Sequence, residues 1–387
     1  MKYKIKEIGT VVTGATPKTK NDKYYNSRDF LFIGPTDLKK EKYVIESEKH
    51  ISKDAYNDYK SRFIEADSIM IDCIGSDMGN VALSKNKVLT NQQINSITNI
   101  DKTLFNIEYT YYVLSTMKKY FHQIGTNGST MPIINKSMFE EIELELPDKS
   151  IQDKVARILS KIDEKIELNM HTNNNLYEIG KALYQEYFEN EKYTKNYEIK
   201  QLSDVTTNNR NKIDQTKEYK VLSAVNTGNL VLSDDYFDKQ VYSKDIGKYL
   251  NVNKHDFAYN PARINIGSIG LNTFDFNCCV SPVYVTFSVD KDYIDFFDFY
   301  FKSKRFNAEV TLRASGSVRQ ALNYNDFGMI EIPYPTKEMI DKFNSSYKTI
   351  KERINTNKAK ISNLEQIRDT LLPKLMNGEI DLDKIEI

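Results

Sequence analysis

The stretch IQDKVARILSKIDEKIELNMHTNNNLYEIGKALYQEYFE, residues 151–189, decides how the chain is built. Its apolar positions, Ile151, Val155, Ile158, Ile162, Ile166, Leu176, Ile179, Leu183 and Tyr187, recur mostly every three or four residues. That period sets them on one face of a helix. No proline interrupts it, and its only glycine is Gly180. At 1.5 Å per residue the stretch is a rod of roughly 58 Å. A narrow apolar stripe on so long a helix calls for a partner helix. The chain holds one: 188 residues further on stand Met339, Phe343, Ser346, Ile350, Ile354, Leu364, Ile367 and Leu371.

The same offset extends beyond the helices. Gly128 and Gly316, Ser129 and Ser317, Ile134 and Leu322, Asn135 and Asn323, Phe139 and Phe327, and Pro147 and Pro335 all stand 188 apart. Upstream, Ile69 matches Phe257, Gly79 matches Gly267 and Tyr112 matches Tyr300. At the amino end Tyr3, Ile5, Lys6, Ile8 and Val11 answer Tyr197, Ile199, Lys200, Leu202 and Val205 at an offset of 194. One constant spacing over so many positions marks a tandem duplication of a globular module followed by a long helix. The period is too long for a solenoid, so the copies are separate domains.

Composition fits this. A chain of 387 residues can hold two or three cores. Its 54 basic and 54 acidic side chains cancel, which counts against coating nucleic acid by bulk charge but leaves local patches open. Three cysteines, Cys73, Cys278 and Cys279, lack the spacing of a disulfide framework or zinc site, so a reduced, cytoplasmic setting is expected. No secretory signal opens the chain and no run reaches 18 apolar residues, so no membrane span is expected.

Taken in order, 1–147 is a mixed α+β module, 148–192 a spacer helix, 193–335 the second module, 336–378 its helix and 379–387 a tail. Strands are expected at 30–33, 68–71 and 142–146, and a helix over 106–120. Ser150 is the expected N-cap of the first long helix. Asn377-Gly378 is a stop signal for the second, and Pro373 should kink its last turn. The link between the first helix and the second module is short, so the second helix has to run back along the first. The expectation is an antiparallel coiled coil with a module at each end and pseudo-twofold symmetry. Ile158, Ile162, Asn169 and Leu176 would form the seam with Ile350, Asn357 and Leu364. Asn169 and Asn357, at a-type positions near the midpoint, are expected close together, fixing the register at some cost in stability.

Several stretches carry a resemblance. Thr13-Gly14-Ala15-Thr16-Pro17, then Tyr24-Tyr25-Asn26 and residues 30–38, resemble the opening of a target recognition domain. Such domains belong to the specificity (S) subunits of type I restriction-modification systems. Asn91-Gln92, the Gly128-Ser129 loop, residues 142–147 before a helix, and Leu372-Pro373-Lys374-Leu375-Met376 are also similar to that family. Each motif is soft, but their order, doubling and helical spacers together are specific. The second module departs from the pattern, with Asn208-Asn209-Arg210-Asn211 where Thr-Gly-Ala-Thr-Pro would stand.

The resemblance implies a non-catalytic reader of double-stranded DNA, each domain taking half of a bipartite target across a fixed spacer. Two modification (methyltransferase) subunits would dock and use S-adenosylmethionine to methylate adenine N6. Restriction subunits, where present, would add ATP- and Mg-dependent translocation and cleavage. Base reading needs forked donors and acceptors, with phosphate contacts for position. The first-domain candidates are Thr16, Lys18, Lys20, Lys23, Ser76, Asn80, Thr126, Asn127, Ser129 and Thr130. Those of the second are Asn209, Arg210, Lys212, Arg263, Arg313, Ser315, Ser317, Arg319 and Gln320, the cluster at 313–320 foremost.

Catalytic readings are weaker. Pro147-Asp148 with Asp163-Glu164-Lys165 formally matches a nuclease pattern, but a charge run on a coiled coil is normally a solvated flank. Asn260-Pro261-Ala262 lacks the second proline and the aromatic of an amino-methyltransferase motif and reads as a turn. No phosphate-binding loop occurs, and His50, His122, His171 and His255 are scattered without metal spacing. The alternatives to a DNA reader are a coiled-coil protein adaptor and a self-contained methyltransferase or nuclease. The adaptor would show no salt-dependent affinity for duplex DNA.

Overall fold

The computed structural model describes residues 1–39, 41–126, 132–195, 197–237, 240–314 and 321–382. The chain divides into two units, Met1–Leu168 with Lys360–Ile387, and Asn169–Ala359. Each unit therefore takes half of each long helix.

In the first unit the amino-terminal strand Lys2–Lys4 pairs antiparallel with Glu143–Glu145. A five-stranded sheet runs in the order Thr10–Thr13, Ile94–Thr98, Ile69–Asp72, Val81–Ser84, Tyr43–Val44. A four-stranded sheet has the order Lys49–Ile51, Phe30–Ile33, Val88–Thr90, Phe63–Ile64. Strands Ile69–Asp72 and Val81–Ser84 are buried at every residue, the signature of a short continuous apolar run. The expected single helix over 106–120 is two, Ile107–Thr116 and Lys118–Thr126, broken at Met117.

The second unit repeats the plan. Glu198–Gln201 pairs with Glu331–Tyr334. One sheet runs Thr206–Asn208, Val285–Val289, Phe257–Tyr259, Ile269–Leu271, and the other Asn229–Leu232, Lys220–Val225, Cys278–Val280, Leu250–Val252. Four strands of the first sheet and three of the second stand in the same order in both units, whereas the edge strand Tyr43–Val44 has its 188-residue counterpart within Asn229–Leu232 of the other sheet; the second sheet of each contains one parallel pair at the same place. Local chemistry repeats as well. Asn135 and Asn323 each cap a short helix by accepting from the amide three residues on. Gly79 and Gly267, with φ of 97° and 87°, take the same left-handed turn. The fillings differ: the first core is largely aliphatic, whereas the second stacks Phe257, Phe287, Phe296, Phe297, Phe301 and Phe327.

Both long helices span 40 residues, Lys149–Phe188 and Lys337–Met376. The first starts one residue before the expected cap. The Asp148 carbonyl accepts from the Ile151 and Gln152 amides, which puts Ser150 inside the first turn. The second continues through Pro373 to Met376. Its end is a Schellman cap, with Gly378 at φ 69°, Gly378 N–H donating to Leu375 O and Glu379 N–H to Lys374 O.

Within each unit the helix halves run antiparallel and complete the core. Val155 and Leu159 share the first core with Leu371, Leu372 and Leu375. Tyr184 and Phe188 share the second with Phe343 and Tyr347. Seam residues Ile158, Ile162, Asn169, Leu176, Ile350 and Leu364 are half-buried. Asn357 is 1% exposed, and its amide donates to Asn173 Oδ1 at 3.0 Å, four residues beyond Asn169. The stripe is wider and more rotated than the sequence period implies. Ile151, Ile179 and Ile367 are exposed, while Ala156, Gly180, Tyr184 and Phe188 are buried. The cause is that each helix packs against a globular core as well as its partner, so its buried face exceeds a two-helix seam.

Gly180 permits a close helix approach. A Cβ there would lie 2.6 Å from Tyr347 Cε2 and 3.0 Å from Phe299 Cζ. In an open helix Gly→Ala gains about 1 kcal/mol. Here the intrusion into packed rings should outweigh it, so Gly180→Ala is expected to lower stability by about 1–2 kcal/mol. Thermal melting of the full chain reads this directly, and a Tm at or above wild type would contradict the packing.

Candidate nucleic-acid interface

Three stretches distant in sequence meet in the first unit. Gly14 N–H donates to Ile94 O at 3.1 Å and Ala15 N–H to Thr90 O at 2.9 Å. A Cβ on Gly14 would lie 2.2 Å from the carbonyl oxygens of both Thr90 and Asn91, so only glycine lets these backbones touch. Asn91 N–H donates to Ile33 O at 2.9 Å, tying in the end of strand Phe30–Ile33. Just beyond, the buried Asp37 carboxylate accepts from the Gly34 amide at 3.0 Å and the Ser47 hydroxyl at 3.2 Å. The Thr16 hydroxyl donates to the Gln92 side chain. From this joint an exposed segment carries Lys18, Lys20 and Lys23 into solvent.

The residues on either side of 127–131 are pinned in the same unit by Gly75 N–H to Pro132 O at 3.0 Å and Ile133 N–H to Gly125 O at 2.9 Å. Ser76 follows Gly75 and is exposed, as is Thr126. The Thr13 hydroxyl donates to Asn95 Oδ1 at 2.6 Å, and Asn95 Nδ2 donates to Ile134 O at 3.2 Å. The glycine joint and the loop base are thus stitched together. Asn127, Ser129 and Thr130 lie outside the described residues.

Asn80 has another task. Its Nδ2 donates to Asp72 Oδ2 at 2.8 Å and Asp77 O at 2.7 Å, while its Oδ1 accepts from Lys118 at 2.8 Å. It braces the turn that Gly79 makes. Burial pulls the Asp77 carboxyl upward, but donors on Lys118, Lys39 and Asn80 hold it well below the usual carboxylate range. Residues Ser76 and Asp77 therefore present a hydroxyl beside a charge-compensated anion.

The second unit builds the corresponding edge from different side chains. Asn209 N–H donates to Thr286 O at 2.8 Å and Asn209 O accepts from the Thr286 hydroxyl. Arg210, exposed, borders a groove of about 210 Å³ with Asn208, Pro261, Tyr284, Ala321 and Tyr324. Asn260 Oδ1 accepts from Ala262 N–H at 3.1 Å, so Asn260-Pro261-Ala262 is a turn, and Arg263 leaves it into solvent. Leu322 N–H donates to Pro261 O at 3.0 Å, the counterpart of Ile134 N–H to Cys73 O at 2.9 Å in the first unit. Arg210, Pro261 of the turn and Ala321 thus meet at one groove. Lys212 is displaced from it, bridging to Leu250. Arg313 pairs with Glu309 on its own helix and donates from Nη2 to Met329 O at 3.3 Å. Ser315, Ser317, Arg319 and Gln320 lie outside the described residues.

One cationic side chain escapes sequence reasoning. Arg62, exposed, donates from Nη1 to Thr13 O at 3.2 Å and so stands at the glycine joint. Only its being one of two arginines in the first 150 residues hints at this. The formal nuclease pattern dissolves. Asp163, expected on a solvated flank, is 7% exposed and held by Tyr112 Oη, Lys42 at 3.4 Å and Arg368 at 3.3 Å. Burial, and then the Asp163 charge, push the Tyr112 hydroxyl far above its usual range. Cys278 and Cys279 are buried in a strand. Among the described residues no cluster of His, Cys, Asp or Glu could hold a metal ion, and no helix is long and apolar enough to cross a membrane.

The chain thus holds two copies of one α+β unit, each with a polar, cation-bearing loop edge and each taking half of both long helices. Residues 1–178 match the type I restriction modification DNA specificity domain. The MjaIX type I restriction enzyme specificity subunit of Methanocaldococcus jannaschii is 27% identical over 413 residues, covering 99% of this chain and 94% of the relative. The HindI specificity subunit of Haemophilus influenzae is 28% identical over 179 residues, 46% of this chain and 39% of that one. A crystal structure of the type I restriction-modification S subunit from M. genitalium shares the fold, with a TM-score of 0.56 at 15% identity, over 97% of this chain and 95% of that one. The chain is thus similar, over nearly its whole length, to a specificity subunit of a type I restriction enzyme, and its first 178 residues match the specificity domain.

The glycine joint makes a sharp demand. Gly14→Ala sets a methyl against two backbone carbonyls that cannot rotate away, and is expected to cost about 3 kcal/mol. Denaturant unfolding of the full chain measures it, and a midpoint within error of wild type would show that the joint is not close-packed.

Proposed function

We propose that this chain reads a bipartite DNA sequence without catalysing a reaction, each unit presenting its loop edge to one half-site. The doubling of the edge carries the reading: the same backbone frame holds Thr16, Lys18, Lys20, Lys23 and Arg62 in one copy and Asn209, Arg210 and Arg263 in the other. One frame with two chemistries suits two different half-sites. Lysines on a mobile stem serve as phosphate contacts, whereas Arg210 and Asn209 carry the forked groups that read guanine and adenine. Two modification subunits dock on the chain and bring S-adenosylmethionine for adenine-N6 methylation. Restriction subunits, where present, bring ATP and Mg. The paired helices act as the ruler between half-sites.

Two measurements test this in the complex with modification subunits. Arg210→Ala should weaken binding to the methylated target by about 1–3 kcal/mol and relax discrimination at one base pair, whereas Lys20→Ala should reduce the salt slope by about one. Seven residues added to the middle of each long helix lengthen it by about 10 Å. The unspecified gap should then grow by about three base pairs, at roughly 3.4 Å each, with both half-sites retained. An unchanged gap would remove the helices from the role of ruler.

A further inference from the structure

The two helix crossings, though copies of one another, are held by opposite chemistry. In the first unit Asp163 on the first long helix meets Arg368 on the second at 3.3 Å, while Lys42 of the globular part reaches Asp163 at 3.4 Å. In the second unit the positions 188 residues away invert this. Lys351 is the copy of Asp163 and pairs with Asp295, and Gly180 is the copy of Arg368. Across from Gly180 lies the ring of Tyr347, whose copy is Leu159. Bulk is inverted as well as charge.

We infer that these crossings encode which helix pairs with which, so that the seam accepts the other half of this chain and rejects a second copy of the same half. The register decides it. Two first helices paired antiparallel would set Asp163 opposite Gly180, costing the carboxylate its Arg368 partner. They would also set Gly180 opposite Leu159, leaving empty the space that Tyr347 fills. Two second helices would set Arg368 opposite Lys351 and beside Tyr347, joining like charge to excess bulk. Both errors occur twice in each symmetric pair. Buried unpaired charge, voids and overfilled seams are the repulsive elements from which pairing specificity is made. The aliphatic contacts of one crossing, Val155 and Leu159 with Leu375, and the aromatic contacts of the other, Phe188 with Phe343, add to the distinction.

The test keeps the full chain. A protease site is placed in the 190–196 link, the folded protein is nicked, and isotopically light and heavy samples are mixed and followed by native mass spectrometry. Amino-half with carboxyl-half pairs of mixed label should form, exceeding same-half pairs by at least about tenfold. Gly180→Arg supplies a guanidinium to each Asp163 in a pair of first helices, and should make amino-half pairs appear. Arg368→Leu removes the like-charge contact and should do the same for carboxyl-half pairs, a second route should Gly180→Arg prevent folding. Same-half pairs at statistical abundance in the wild type, or a distribution that neither folded variant changes, would overturn the inference.

Discussion

Neither globular part of this protein closes its core alone. The aliphatic core of the first unit is completed by Val155, Ala156 and Leu159 from the start of one long helix and Leu375 from the end of the other. The aromatic core of the second is completed by Tyr184 and Phe188, with Phe343 and Tyr347. Antiparallel pairing of the helix halves within each unit is therefore a condition of folding. Each helix is one continuous 40-residue element that contributes to both cores.

The polar contacts within the pairing refine it. Buried charge stabilises little and costs much when a partner is lost. The grouping of Lys42, Tyr112, Ser160, Asp163 and Arg368 is best understood as fixing one arrangement among several that apolar packing would allow. The Asn357–Asn173 contact acts similarly, since a buried amide accepts few registers. The joint at Gly14 and its counterpart at Asn209 are backbone constructions, and what stands at them is lysine with Arg62 in one copy and Arg210 with asparagine in the other.

Repetition made the architecture legible. Gly79 with Gly267, Asn135 with Asn323, and the strand orders follow the 188-residue offset because each copy solves the same folding problem. The Asn-Gly terminator after Met376 behaves as its local geometry demands. What stayed hidden depends on contacts far along the chain. Asp163 looks like a solvated coiled-coil charge until Lys42, 121 residues earlier, is seen to reach it. Asn80 and Arg313 look available for DNA until Asp72 and Lys118, or Glu309 and Met329, are seen to occupy them. Helical periodicity fixes a face but not its width, so the exposure of Ile179 and the burial of Tyr184 required the globular neighbours.

The central proposal is that this one chain reads both halves of a bipartite DNA target. Sequencing that reports methylated adenines across a genome tests it most directly, in cells whose only specificity subunit is this chain and again after its deletion. The account predicts a single two-part motif with an invariant gap, methylated in both halves and lost on deletion. A continuous motif, a gap that varies from site to site, or methylation that survives deletion would contradict it.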